Sequence, residues 1–514
     1  TNDSSIYKQF KINNIFIHIN DTEEEKDTIL HNDYYFITSK NTKLKLSVIS
    51  DLITIKINSK YARIDSENTY RNLSNLSFFK KINIEFSEHL NQSLLDCYIN
   101  IETPTKMYYS IEAEAKRSTD EGDLGISSYV QFGNNNLFQG AENLNGKIRV
   151  SLGNRQASSK TTDNIFNTKE ISYEIGLKKP KLILPKKINN WLKNSFQMNT
   201  NFIFSVTKRE RPDFSSRTIA QKLGYSWRTT NQAQHQLNLI EFIFADIEQN
   251  DFIANLVQDN IYLQEQFEDQ FIPSSNYVFM LNKKNTNKLK NRIFLTTKLE
   301  TSGNFFQLLG KLGSFNKDEN DNYILFNNPF SQYVKIDFDI RQYFTGFKEN
   351  TLVLRSFIGT GYAYGNSEKL PIQKQFFSGG VNSIRAWEAF SLGPGSIQEI
   401  VGDNYATGDL KLEFNIEYRF TFINSLKSAI FIDAGNIWSI KSDDQNGSTF
   451  KINNFISELA LGFGFGLRYD FDFFIVRLDM ARPLRDPSYP KGNRWVENTL
   501  NKKFRYNLAI GYPF

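Results

Sequence analysis

Among the residues able to do chemistry, one arginine is placed unlike the rest. In FFSGGVNSIRAW, residues 376–387, Arg385 stands between Ile384 and Ala386, with Trp387 beyond and the pair Gly379–Gly380 before it. Paired glycines reach backbone conformations closed to other residues and let a chain fold back on itself. SLGPG at 391–395 then supplies turn residues that end the excursion. A connection running from about 362 to 407 is too long for a passive hairpin. Tucked into an interior, its arginine needs an acidic partner, because an unpaired buried charge is costly. Glu417 in NIEYRF and Asp433 in FIDAGNIW lie on the strands that follow and are the two candidates. An exposed loop arginine without a partner is the other reading of the same residues.

Other chemistries find no support in the chain. It has no GxSxG elbow and no phosphate-binding GxxxxGK[ST] loop. GFGFG at 462–466 reads as a strand in which glycine alternates with Phe463 and Phe465, leaving one wall shallow. Four histidines and one cysteine show no metal-ligand spacing. Cys97 alone allows no intrachain disulfide and reads as a small buried residue in LLDCYINI. Carboxylates paired on a barrel wall more often balance arginines than perform acid/base work. The expectation is therefore no catalytic residue, no metal, no cofactor and no enzyme activity. A net charge of +5, with no dense basic block, argues against nucleic-acid binding.

The elements that must position Arg385 fall into two regimes. Residues 8–103 read as a small mixed α/β unit: FKINNIFIHI is a strand with apolar Ile12, Ile15 and Ile17. SENTYRNLSNLSFF sets Tyr70, Leu73 and Leu76 three apart on one stripe of a short helix. KINIEF and LLDCYINIET follow as strands. From about Met107 the pattern is strand after strand. VKIDFDIRQYF alternates Val334, Ile336, Phe338 and Ile340 with Lys335, Asp337, Asp339 and Arg341. KLEFNIEYRF alternates Leu412, Phe414, Ile416, Tyr418 and Phe420 with Glu413, Asn415, Glu417 and Arg419. Charges of both signs share one face while Phe, Leu, Ile and Tyr band the other, which predicts a closed transmembrane barrel. No apolar run is long enough for a membrane-crossing helix. A mean hydropathy of −0.46 fits a barrel that shows lipid only every second residue, and so does the 14% aromatic content.

The last strand weighs most. In KFRYNLAIGYPF, Phe504, Tyr506, Leu508, Ile510, Tyr512 and Phe514 alternate with Arg505, Asn507, Ala509, Gly511 and Pro513. An apolar edge ending on phenylalanine invites pairing with other chains in a soluble protein, whereas in an outer-membrane barrel it serves as closing strand and assembly signal. The lysine- and proline-rich stretch within 160–195 is read either as a strand followed by an amphipathic segment or as an ordinary basic turn. The start TNDSSIYKQF carries no secretion signal, so any such signal lies outside this sequence.

FFSGGVNSIRAW with SLGPG resembles the sixth-extracellular-loop motif of the BamA/TamA superfamily, the bacterial surface antigen barrels. FIDAGNIW resembles that family's strand-13 motif and GYPF its C-terminal signal. TYRNLSNLSFFKKINIEF resembles the end of a POTRA domain, the periplasmic module that precedes such barrels. The resemblance covers residues 8–514. It implies a POTRA-like domain over 1–104 and an all-β barrel of about 16 antiparallel strands over 105–514. It further implies a sixth loop over about 362–407 whose Arg385 reaches Glu417 and Asp433 in the lumen, with Gly379, Gly380, Ile384 and Trp387 completing a latch. Ala386 departs from the family's usual glycine and would be strained if its backbone needed a positive φ.

The same resemblance implies a bacterial outer-membrane protein that folds other β-barrels into the membrane, its POTRA domain in the periplasm. First and last strands would meet at a weak lateral seam, here Tyr108, Ser110 and Glu112 against Phe504, Tyr506, Leu508, Ile510, Tyr512 and Phe514. Expected partners are outer-membrane lipid, unfolded outer-membrane proteins, and either assembly-machine lipoproteins or a TamB-like periplasm-spanning protein. The Lys/Asn/Ile-rich style is most like the TamL-type TamA homologues of Bacteroidota. A two-partner-secretion-type transporter, or a phospholipid transport component with a TamB-like partner, is the alternative. With one POTRA-like unit visible, the chain reads either as a fragment lacking upstream modules or as an abbreviated homologue.

Overall fold

The computed structural model describes residues 9–20, 26–39, 44–76, 78–90, 92–117, 124–154, 166–185, 187–188, 192, 195–211, 214–249, 269–284, 291–313, 315–346, 350–397, 406–423, 425–441, 447–471, 474–495 and 504–514. Alternation sorts these into two large sheets and one two-stranded ribbon, Ile324–Leu325 with Asn328–Pro329.

The N-terminal sheet has five strands: β1 (Lys11–Asn20), β2 (Lys26–His31), β3 (Tyr34–Ser39), β4 (Lys81–Glu88) and β5 (Leu94–Glu102), in the order β2-β3-β1-β5-β4. Helices α1 (Leu46–Ser50) and α2 (Arg63–Ser74) connect β3 to β4. The uneven spacing of Ile12, Ile15, Ile17 and Ile19 has a cause: a register shift between Ile12 and Ile15 returns all four to the same buried core. On α2 the buried stripe begins at Thr69 rather than Tyr70, which stays exposed, and continues through Leu73 to Leu76 beyond the helix. This unit rests on one end of the second sheet. Lys45 N donates to Gln139 O at 2.8 Å, Gln197 Nε2 donates to Asn75 Oδ1 at 2.8 Å, and Ala141 joins the N-terminal core.

The second sheet is a 16-stranded antiparallel barrel wall in sequential order. Its first strand is Met107–Arg117, its ninth Arg292–Ser302, its tenth Tyr333–Thr345 and its eleventh Thr351–Ala363. The twelfth is Leu410–Ile423, the thirteenth Leu426–Trp438, the fourteenth Ala460–Asp470, the fifteenth Ile475–Arg485 and the sixteenth Arg505–Ile510. Side chains alternate as a strand requires. Phe414, Ile416 and Tyr418 face outward and exposed, while Glu413, Asn415 and Glu417 face inward and are buried. The first strand follows directly from β5, so the odd-numbered strands run away from the N-terminal unit. The connection between the eleventh and twelfth strands therefore opens at the far end, and it folds back into the lumen.

Among the described residues no backbone ladder joins the first strand to the sixteenth, which pairs only with the fifteenth, from Val476↔Ile510 to Ala481↔Arg505.

Candidate functional site: an arginine latch in the lumen

The loop before the twelfth strand turns on Gly379 and Gly380, with φ of 91° and 94°. A Cβ on Gly379 would collide with the Glu388 carbonyl oxygen, so the close return of the loop needs glycine there. The turn drives Ile384, Ala386, Trp387 and Leu392 into an apolar cluster with Phe431, Ala460 and Ala481 on the barrel wall.

Arg385, fully buried, projects from this cluster into a set of carboxylates. Its Nε and Nη2 donate to Asp433 Oδ2 and Oδ1, both at 2.9 Å, a bidentate pairing that suits the planar guanidinium. Nη1 donates to Glu417 Oε2 at 2.5 Å, and the backbone N of Arg385 also donates to Asp433 Oδ2. The guanidinium carbon lies 3.3 Å from the ring centroid of Phe431. With every carboxylate contact charge-assisted and no water-exposed surface, this is a pinned side chain.

Sequence reasoning missed the next ring of residues. Asp479 on the fifteenth strand approaches Arg385 at 3.7 Å and pairs with Arg477 at 2.5 Å and Arg468 at 3.2 Å. Arg419 and Arg468 flank the other oxygen of Glu417 at 2.7 and 3.1 Å. Asn415 bridges Ser383 O and Asp433, and Arg477 Nη2 donates to Val381 O. A second node lies alongside: Ser383 donates to Glu413, which also pairs with Arg355 and Lys411. The signal was available. Arg477 and Asp479 alternate with Val476 and Leu478, as Glu413 and Glu417 alternate with outward apolar residues.

Ala386 carries no strain. It is absent from the described non-glycine residues with positive φ, and its methyl group lies where a Cβ on Gly462 would fall, 2.7 Å away. A glycine on the wall thus makes room for the alanine in the loop.

The expected seam residues divide in two ways. Tyr108, Ser110 and Glu112 face the lumen: Gln131 Nε2 donates to the Tyr108 hydroxyl, and Glu112 accepts from Tyr129. Phe504, Tyr506, Leu508 and Ile510 face outward. The two sets lie on opposite faces, so cross-seam neighbours on the outward face are Tyr109 and Ile111, which are exposed. Tyr512 and Phe514 are not seam residues. The sixteenth strand ends at Ile510, Gly511 takes φ 81°, and the chain turns inward. Tyr512 lies under Arg419, whose guanidinium carbon is 4.2 Å from the ring centroid, and Arg419 Nη2 donates to Phe514 O at 3.1 Å.

Among the described residues no cluster of His, Cys, Asp and Glu has the arrangement of a metal site. A lumenal cavity of about 1020 Å³ borders the latch, lined among others by Arg209, Arg341, Arg355, Phe377 and Phe514.

Comparison with known proteins agrees with this architecture. Over 123 residues, 23% of this chain, the sequence is 28% identical to the outer membrane protein assembly factor BamA of Neisseria meningitidis; the match spans 15% of that relative's length. The crystal structure of BamA from Haemophilus ducreyi lacking POTRA domains 1–3 aligns with a TM-score of 0.57 at 9% identity, covering 95% of this chain and 89% of that one. CdiB from Escherichia coli aligns with a TM-score of 0.50 at 10% identity, covering 99% and 91%. At these identities the structural likeness speaks for the fold. The Omp85 superfamily domain is matched over residues 58–514, most of the chain, and the chain belongs to that superfamily.

Proposed function

We propose that this protein is an outer-membrane assembly factor that templates the insertion of other β-barrel proteins, with its N-terminal unit acting as a periplasmic POTRA domain. The observation that carries the reading is the seam. Among the described residues no backbone ladder joins the first strand to the sixteenth, and a seam without a ladder can admit an incoming strand by backbone hydrogen bonding. The latch supports it: Arg385, Glu417 and Asp433 brace the wall from inside while its seam stays unladdered. Burial of the new strand's apolar face in lipid supplies the driving force, so no catalytic residue, cofactor or metal takes part. Within the superfamily, a TamL-like role with a TamB-like partner is the form we favour.

The test is a reversible staple. Cysteines replacing Ile111 and Leu508, in a Cys97→Ala background, are oxidised in cells depleted of the native protein. The expected result is loss of many barrel proteins from the outer membrane, restored by reductant. A cross-linked protein with an unchanged outer-membrane proteome overturns the reading. Loss of one secreted passenger alone would assign a two-partner-secretion-type transporter instead, and a changed phospholipid content with intact barrels would assign lipid transport.

A further inference from the structure

At the end of the barrel away from the N-terminal unit, the connection between the ninth and tenth strands builds a helix, Asn304–Lys311, that sits outside the lumen. Its position follows from strand alternation. On the strand Ala233–Gln249, Glu241 faces inward to Asn276 and Lys222, and Ile243 packs inward with Ile272 and Tyr333. Phe242 and Phe244 therefore face outward, as does Phe271 beside Ile272. Onto these outward rings the connection lays Phe306 and Phe326: Phe306 is 6.0 Å from Phe242 and 6.2 Å from Phe271, and Phe326 is 5.6 Å from Phe244. Phe330 packs on Phe306 at 6.0 Å, and Phe271 is left 1% exposed. Gly310 lets the helix close onto Tyr323, and Asn304 Oδ1 accepts from Gln332 and Tyr364 at the rim.

Among the described residues, one face of this seated helix is left exposed. Phe305, Leu308 and Leu312, at helical spacing, are 65%, 58% and 73% exposed. Phe326 beside them is 71% exposed. Asn304, Gln307 and Lys311, at the same spacing, form the neighbouring stripe. An apolar stripe beside a polar one is the pattern of an interfacial membrane segment. The stripe is also continuous with the outward apolar band of the barrel, which already faces lipid in the reading proposed above.

We infer that this helix is a membrane-interface foot: Phe305, Leu308, Leu312 and Phe326 embed among the acyl chains of the outward leaflet, and Lys311 stays in the water layer. The foot fixes the height of the wall around the ninth and tenth strands, far in strand order from the seam. Bilayer deformation at the seam is then resisted on the opposite side.

The test uses the full chain in phosphatidylcholine vesicles, in a Cys97→Ala background, with a bimane label on Leu308→Cys, Lys311→Cys or the lipid-facing control Ile416→Cys. Heat-modifiable migration checks folding of each. The Leu308 label is expected to be quenched by lipids brominated on their acyl chains and to show about threefold less quenching by aqueous iodide than the Lys311 label. Equal iodide access at 308 and 311, with the 416 label quenched by bromolipid, overturns the foot alone. Failure of the 416 label to be quenched overturns the membrane-spanning reading beneath it. Shielding of 308 that rises with protein-to-lipid ratio and ignores bromine assigns the face to a second copy and also overturns the foot.

Discussion

Asn507, on the last strand, donates through Nδ2 to the backbone carbonyl of Arg385 at 2.9 Å, in a buried position. One side chain thus ties the last strand to the loop that fills the lumen. Two contacts run beside it: an ion pair between Arg505 and Glu388, and the Arg419 donation to Phe514 O. Among the described residues that strand is laddered to the fifteenth alone, so these lumenal contacts add to what holds it in place. Replacing Asn507 by Ala leaves the Arg385 carbonyl buried without this donor, a loss of about 1–3 kcal/mol. Amide exchange over Arg505–Ile510 should then quicken, with the twelfth and thirteenth strands keeping their protection. Unchanged exchange in the last strand would separate it from the latch.

Removing the arginine itself is more damaging than removing its neighbour. Arg385→Ala leaves Glu417 and Asp433 buried with their principal cation gone, and breaking a buried pair costs about 3–5 kcal/mol. Arg385→Lys restores a charge but cannot span Asp433 with two parallel donors while also reaching Glu417. The urea midpoint in detergent should fall least for Arg385→Lys, more for Arg385→Ala and most for Arg385→Glu. A Glu variant as stable as the native protein would end the idea of a brace.

The reason some of this was readable and some was not is physical. Period-two alternation tells which face a residue takes, and so it placed Glu417 in the lumen and the Phe/Ile/Tyr bands outside. It does not tell at what height along the barrel a residue sits. Asp479 and Arg468 therefore went unread as partners of the latch, although LRYD and VRLDMA carry the same alternation. The pattern through KFRYNLAIGYPF looked continuous because Gly511 sits on the correct parity, yet its positive φ ends the strand and turns Tyr512 and Phe514 inward. The hairpin β2–β3 had a signal in Asn32–Asp33, whose φ values of 49° and 65° are those of a tight turn. Flanking polar residues hid the strands on either side.

The contact of Ala386 with Gly462 invites a double substitution. Gly462→Ala places a methyl group on that of Ala386 and should destabilise by about 1–3 kcal/mol, the usual cost of overpacking. Ala386→Gly alone should change little beyond loop entropy. Combining the two should recover most of the loss, an interaction read directly from a double-mutant cycle. Additive losses would show that the two residues do not share the space.

Cys97 in β5 offers a titration. It is fully buried, and burial pushes its thiol up to about 12 from an ordinary value near 9. In the folded domain the thiol stays protonated where the unfolded chain would already ionise. A folded value raised above the unfolded one means stability is whole below pH 9 and is lost progressively between about 9 and 12. Lysines and tyrosines titrate in the same window, so the quantity to measure is the difference in stability between the native protein and Cys97→Ala. That difference should shrink as pH rises through this range and be flat below it. N-ethylmaleimide, which needs thiolate, should leave the folded protein unmodified at about pH 8 and label it rapidly in denaturant. Labelling of the folded protein at the unfolded rate would place Cys97 outside the core.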